Sequence, residues 1–224
     1  MVDIVWLGHA CFLLRGEVKR LIFDPFKDTG LREPSEKADI ILCSHAHSDH
    51  NNVNAARHET SIVLEEFTGV KQIDNVSVRG ISAFHDTVQG GQRGKNSIYT
   101  VRFEDFTFCH LGDLGHELSQ SQVTKIGSVD ILFVPVGGFY TIGPQQGRKV
   151  MESIKPRITV PMHYKLPGMS ATFNSLSMVE DFIRGDDNVK RLDGPSFTTS
   201  KTDLQEKALI IVPKLGGESL LGQA

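Results

Sequence analysis

Three of the nine histidines and one aspartate fall within six residues, at His45, His47, Asp49 and His50. For residue types this scarce, chance yields such a window with an expectation on the order of one in a thousand. Imidazole nitrogens and carboxylate oxygens are donors that divalent ions take, so ionisable groups crowded together without a counter-charge point to metal coordination. Alternate residues at a strand end project to the same side, so His45 and His47 can share one ion while Asp49 and His50, in the following turn, aim at a neighbouring position. Further donors stand at the ends of later apolar runs: His85 after Gly80 to Phe84, Asp113 after Leu111-Gly112, and His163 after Ile158 to Met162. Two ions side by side would lower the pKa of a shared water towards neutrality, creating a hydroxide able to attack carbon or phosphorus.

Such donors need strands that deliver them. Asp3 to Leu14 and Lys19 to Phe23 are apolar runs with a turn at Arg15-Gly16-Glu17, and Ala38 to Ser44 is the nearly continuous apolar run of a strand buried on both faces. The pattern returns with Ser97 to Phe103, Phe106 to Leu111 and Val129 to Val134; Asp24 and Asp39 are 15 apart, Asp113 and Asp130 17 apart. This weak repeat predicts two related β-rich halves that place polar residues at strand ends along one edge of a sandwich. Helices are expected over Glu117 to Ile126, over Pro144 to Ile154 with Thr141 as the cap candidate, and over Phe173 to Arg184; Leu209 to Val212 reads as a last strand. One domain over residues 1–214 and a loose Gly-rich tail over 215–224 follow.

The 224 residues carry 24 basic and 27 acidic side chains, a formal charge of -3 that offers no general basic field for nucleic acid. Ile4 to Leu14 is too short to span a bilayer and lacks a basic flank, so no membrane association is expected. Cys11, Cys43 and Cys109 form neither a CxxC pair nor an even framework, which favours a reduced, cytoplasmic setting.

His45-Ala46-His47-Ser48-Asp49-His50, Leu111-Gly112-Asp113 and Pro161-Met162-His163-Tyr164 resemble the metallo-β-lactamase superfamily. Trp6 to Phe12, Phe23 to Phe26, His110 to His116 and Pro135 to Gly138 further resemble its lactonase-like hydrolase branch, related to ascorbate-6-phosphate lactonase. The resemblance implies an α/β, four-layer αββα sandwich in one domain. It places His45, His47 and His85 on a first metal and Asp49, His50 and His163 on a second, with Asp113 bridging. No thiolate stands among these ligands, which suits Zn(II) and leaves Mn(II) and Fe(II) open.

Within that frame Asp49 would orient the hydroxide, and His116 is the candidate acid for the leaving group. His9, Asp24 and His110 are candidates to orient ligands or face substrate. Gly90 to Asn96 reads as a mobile basic loop, either a lid whose Arg93 clamps an anionic substrate or a plain solvated turn. The expected function is metal-dependent hydrolysis of a lactone, ester or phosphodiester in a small molecule. Alternatives are a nuclease or phosphodiesterase acting on nucleic acid and a non-catalytic metal-binding or ligand-sensing module; a homo-oligomer is compatible with the chain.

Overall fold

The computed structural model describes residues 1–204 and 208–216. In chain order its elements are β1 (Val2–Gly8), β2 (Cys11–Arg15), β3 (Arg20–Phe23), β4 (Ile40–Cys43), α1 (Val53–Ala56), β5 (Ile62–Glu65), β6 (Gly69–Ile73), β7 (Val76–Phe84), β8 (Lys95–Phe103) and β9 (Phe106–His110). There follow α2 (Gln120–Ile126), β10 (Ile131–Pro135), α3 (Pro144–Ile154), β11 (Ile158–Met162), α4 (Val179–Ile183), β12 (Val189–Arg191), β13 (Ser196–Thr199) and β14 (Leu209–Val212). The strands form two sheets, of order β13-β1-β2-β3-β4-β5 and β12-β14-β11-β10-β9-β8-β7-β6. Their inner faces meet through aromatic rings: Phe12 stacks on Phe133 at 4.0 Å between centroids, and Phe23 lies parallel to His110 at 4.8 Å. Helices α2 and α3 lie against β7 and β10 of the larger sheet, and α4 packs on α3. No helix among the described residues is long and apolar enough to cross a membrane, and all three cysteines are free and buried.

The repeat read from the sequence has a structural counterpart. In β2-β3-β4-β5 the first pairing is antiparallel and the next two are parallel, and β8-β9-β10-β11 follows the same order. Asp39 and Asp130 are equivalent: the carboxylate of each accepts the backbone N–H that opens or enters the preceding strand, from Arg20 at 2.7 Å and Thr107 at 2.8 Å. Asp24 and Asp113 are not equivalent. Asp24 N–H bonds Leu42 O as Leu111 N–H bonds Phe133 O, so Asp113 stands two residues further on, which accounts for the longer spacing.

Several boundaries differ from expectation. The run Asp3 to Leu14 is a hairpin, split where Gly8 (φ +110°) and His9 (φ +51°) take left-handed conformations. This turn is only a Gly-His pair within an apolar run, and it is buried: a Cβ on Gly8 would sit 3.1 Å from Leu31 and 3.5 Å from Phe26. Helix α2 begins three residues later than predicted, after Ser119, whose hydroxyl accepts the Gln122 N–H while the Gln122 side chain accepts the Ser119 N–H. Helix α3 matches its predicted span, but its cap is Gly143, with the Gln146 side chain accepting the Gly143 N–H; the Thr141 hydroxyl donates to Ile142 O instead. The helix predicted over Phe173 to Arg184 is a single 3-10 turn (Ala171–Phe173) followed by α4, because Ser177 pairs its backbone with Gly137 and Lys165 rather than within a helix. Of the expected loose tail, Leu215 is buried against the Gly8 turn, and residues 217–224 lie outside the described residues.

Phe133 is fully buried, with Phe12 and Phe108 stacked near it and Phe23 and His110 at its edge. Phe133→Ala should cost about 3–5 kcal/mol, read as a lowered midpoint in urea unfolding with an unchanged slope.

Candidate metal centre

Within the first sheet β1, β3 and β4 run in one direction, and within the second β7, β9, β10 and β11 do the same, as the alternation of antiparallel and parallel pairings requires. Their C-terminal ends therefore emerge together. His9 follows β1, Asp24 follows β3, His45 to His50 follow β4, His85 follows β7, Asp113 follows β9 and His163 follows β11. The expected placement along one edge is met, with one change. His45 and His47 are not alternate residues of a strand: they lie in the loop beyond β4, which turns back through the His50 N–H to His47 O bond of 2.9 Å.

Asp24 organises the first half of the centre. It is fully buried with φ +43°. Its Oδ1 accepts the Ser44 N–H at 2.7 Å, and its Oδ2 accepts the Ser44 hydroxyl at 2.7 Å and the His50 Nδ1–H at 2.8 Å. With its own proton given to Asp24, the Ser44 oxygen accepts from His45 Nδ1 at 2.9 Å. Both imidazoles thus carry a proton on Nδ1 and turn Nε2 towards the centre. Asn96 secures the second half: its amide donates to Leu111 O at 2.8 Å and its oxygen accepts the Asp113 N–H at 2.9 Å. Gly112 must be glycine here, since φ is +55° and a Cβ would lie 2.3 Å from the Asn96 side-chain oxygen.

Four imidazoles converge on Asp113. Its Oδ2 lies 3.0 Å from His85 Nε2, 3.2 Å from His163 Nε2 and 3.9 Å from His45 Nε2, while its Oδ1 lies 3.2 Å from His50 Nε2. Donor atoms of His45, His47 and His85 lie within 4.8 Å of one another, as do those of His9, Asp49, His50 and His163. Asp113 therefore stands between two groups of donors. Among the described residues, His45 Nε2, His50 Nε2 and Asp113 Oδ1 are buried with no partner in hydrogen-bonding geometry, an arrangement that costs about 1–3 kcal/mol for each group unless something binds it. A divalent cation fits that deficit, and the all-nitrogen and oxygen donor set suits it.

The electrostatics agree. Burial lowers His45 to about 3, with the neighbouring His50 adding to the effect, and lowers His9 to about 4, with His163 adding; both rings are neutral at pH 7 and hold a lone pair. Burial acts against the charged form of Asp49, but His50 and the bond from His9 Nε2 at 3.2 Å outweigh it and hold this carboxyl below its ordinary range. Burial likewise acts against protonated His50, yet the Asp113 and Asp49 carboxylates push it well above its ordinary value. The same negative field attracts a metal ion.

A cleft of about 410 Å³ opens over the centre, lined by His47, Asp49, His85, Asp113 and His163 and walled by Arg93, Tyr140 and Phe173. Arg93 is therefore brought to the centre, and His9 touches Asp49. Of the other candidates, His9, Asp24, His110 and His116 do not line the cleft: His9 and Asp24 are fully buried beneath it, and the last two are spent on the backbone. His110 donates from Nε2 to Ala10 O at 2.8 Å and accepts the Gly112 N–H on Nδ1 at 3.1 Å, tying the two sheets together. His116 accepts the Phe84 N–H on Nε2 at 3.2 Å and donates from Nδ1 to Glu117 O at 2.8 Å. With both nitrogens committed to backbone, it has no proton to offer a leaving group. The sequence reading missed Ser44, Asn96, Asp86 and Tyr140. Ser44 and Asn96 adjoin apolar runs and could have been noticed as polar residues at strand ends; nothing local marks Tyr140.

The model of the β-lactamase superfamily domain matches residues 3–163. The chain is 30% identical over 191 residues to a UPF0173 metal-dependent hydrolase from Thermococcus kodakarensis, covering 73% of this chain and 85% of that protein. A UPF0173 metal-dependent hydrolase from Thermoplasma acidophilum is 32% identical over 188 residues, covering 73% and 83%. Among solved structures, a candidate Zn-dependent hydrolase of the metallo-β-lactamase superfamily from Thermotoga maritima superposes with a TM-score of 0.80 at 32% identity, covering 96% of this chain and 100% of that one.

Asp24→Asn places an amide where two hydroxyl or imidazole donors now find an acceptor, so metal affinity should fall about 10–100-fold. Competition with a chromophoric chelator measures it. His116→Gln, tested alongside, should leave the affinity unchanged.

Proposed function

Because the chain belongs to the β-lactamase superfamily, we propose that it is a metal-dependent hydrolase whose centre holds two divalent ions, zinc first among them. The convergence of two donor groups on the Asp113 carboxylate carries this reading. His45, His47 and His85 would hold one ion, Asp49, His50 and His163 the other, and Asp113 would join them. The hydrolase and metal dependence agree with the names of the relatives, and zinc with that of the Thermotoga structure.

When bound, such ions acidify water and polarise a carbonyl or phosphoryl oxygen. The protein supplies position. Asp24 and Ser44 fix the His50 and His45 rings, so the donors need no reorganisation when the ions are loaded. Asp49 is only partly covered, its side chain 21% exposed towards the cleft. One oxygen is held by His9, and the carboxylate can orient an attacking water and accept its proton. Phe173 packs its ring against His9 and His163 and shields that side of the cleft from solvent. The substrate is a small molecule with a lactone, ester or phosphodiester bond, in keeping with the size of the cleft.

Protein reloaded with zinc or manganese should hydrolyse γ-butyrolactone or bis(4-nitrophenyl) phosphate, and a chelator should abolish the turnover reversibly. Asp49→Asn should lower kcat by about 100-fold or more while metal remains detectable by elemental analysis. Near-native kcat in that variant would remove Asp49 from the mechanism. His116→Gln should keep its activity.

A further inference from the structure

The segment after His85 is not a mobile lid. Asp86 is only 4% exposed, and its carboxylate gathers four backbone donors: Val88 and Gly90 on Oδ1 at 2.9 and 2.8 Å, Gln92 and Arg93 on Oδ2 at 2.9 and 2.8 Å. Burial acts to raise this carboxyl, yet the four N–H groups hold it well below the ordinary carboxylate range. The loop also closes on itself, with Gly94 N–H on Gly90 O at 3.1 Å and His85 N–H on Gly94 O at 3.1 Å. Its backbone is therefore fixed from the metal-centre residue His85 to the far side of Arg93.

What this fixed loop presents is a guanidinium. The Arg93 Cζ lies 5.3 Å from the centre of the Tyr140 ring, and Tyr140 is held in turn by its hydroxyl donating to Thr172 O at 2.9 Å. Among the described residues no carboxylate lies within ion-pair distance of Arg93, although the other cation-π arginine, Arg148, has Asp186 at 3.7 Å. Arg93 and Tyr140 share the cleft with His47, His85, Asp113 and His163. A half-buried guanidinium stacked on an aromatic face, with its N–H fork unspent on any acid and its loop already ordered, is prepared for a planar or tetrahedral oxyanion. Ordering it in advance removes a cost that a flexible side chain would incur on binding.

The geometry points to an anion subsite: Arg93, stacked on Tyr140 and anchored through Asp86, recognises a carboxylate or phosphate group of the substrate away from the bond that is cleaved. This deepens the hydrolase reading and rests on it for the word substrate, but the subsite stands on its own geometry. Hydrolysis would then be selective for an ester, lactone or phosphodiester that bears a second, anionic group.

Calorimetric binding to the zinc-loaded protein tests this with glutarate, its monoamide glutaramate, and 4-phosphonobutyrate. Glutarate and glutaramate share one carboxylate and differ in charge at the other end. The wild type should bind glutarate about tenfold or more tightly than glutaramate, the range of a charge-assisted hydrogen bond. Arg93→Gln should abolish that preference with glutaramate binding unchanged, and Arg93→Lys should restore part of it. A larger Arg93-dependent gain for 4-phosphonobutyrate than for glutarate would assign the subsite to phosphate, and a smaller one to carboxylate. No preference in the wild type, or one that survives Arg93→Gln, would overturn the subsite. Turnover of 5-oxotetrahydrofuran-2-carboxylate against its carboxamide then separates the two claims: an Arg93-dependent binding preference without turnover of either lactone strikes lactone hydrolysis and leaves the subsite standing.

Discussion

The buried carboxylate of Asp24 is the constraint on which the centre depends. A carboxylate with no exposed surface must have its lone pairs filled, and the residues that fill them are Ser44 and His50. The bond from His50 fixes the proton of that ring on Nδ1, and the Ser44 hydroxyl, having given its own hydrogen to Asp24, fixes the proton of His45 in the same way. One side chain thereby sets the tautomer and direction of two imidazoles that converge on Asp113 from opposite donor groups. The strands beneath have the task of keeping Asp24 dry and Ser44 in reach.

That task explains where backbone strain is found. His9, Asp24 and His163 adopt φ values of +51°, +43° and +52°, a region that non-glycine residues enter at some cost. Each directly follows a strand that ends at the shared edge. An extended residue there would continue the strand direction; the left-handed turn instead brings the side chain across towards the centre, as the 4.1 Å separation of the His9 and His163 rings shows. The His163 N–H to His9 O bond at 3.2 Å and the Trp6 indole on the same carbonyl at 3.1 Å hold the strained turns together.

The clustered donors and the strands that carry them were legible because each has a local signature, an improbable density of histidine and apolar runs closed by polar residues; the largely exposed edge strands β5, β6, β12 and β13 have no such run and were not read. Helix α3 was legible to the residue because Pro144 opens it and Pro156 stops its continuation. The hairpin at Gly8-His9 was not, because this one pair, buried under Leu31 and Phe26, is all that interrupts the apolar run from Ile4 to Leu14. The role of His116 could not be read either. Its position beside the Asp113 motif suggested chemistry, whereas its ring is spent on the backbone of Phe84 and Glu117, a contact set by the fold and not by neighbours in sequence. The Gly-rich composition of residues 90–94 suggested motion for the same reason: glycine permits both freedom and tight turns, and Asp86 decides for the tight turn.

The two halves divide the work unequally, and the inequality comes from two residues. Their strands match in order and direction, and the equivalent positions Phe23 and His110 meet face to face between the sheets with only 5° between their planes, as residues near an axis relating two halves would. At the next position the halves part. Asp24 takes the bond to Leu42 O and stays buried beneath the centre, while its equivalent, Leu111, is apolar and is followed by Gly112 and then Asp113. The two added residues, with a glycine to permit the turn, carry the second carboxylate past the packed layer and into the midst of the imidazoles. One half therefore contributes a carboxylate that orients donors, the other a carboxylate that receives them. A strict duplication would have placed both at the same depth, leaving the space between the donor groups without its central carboxylate.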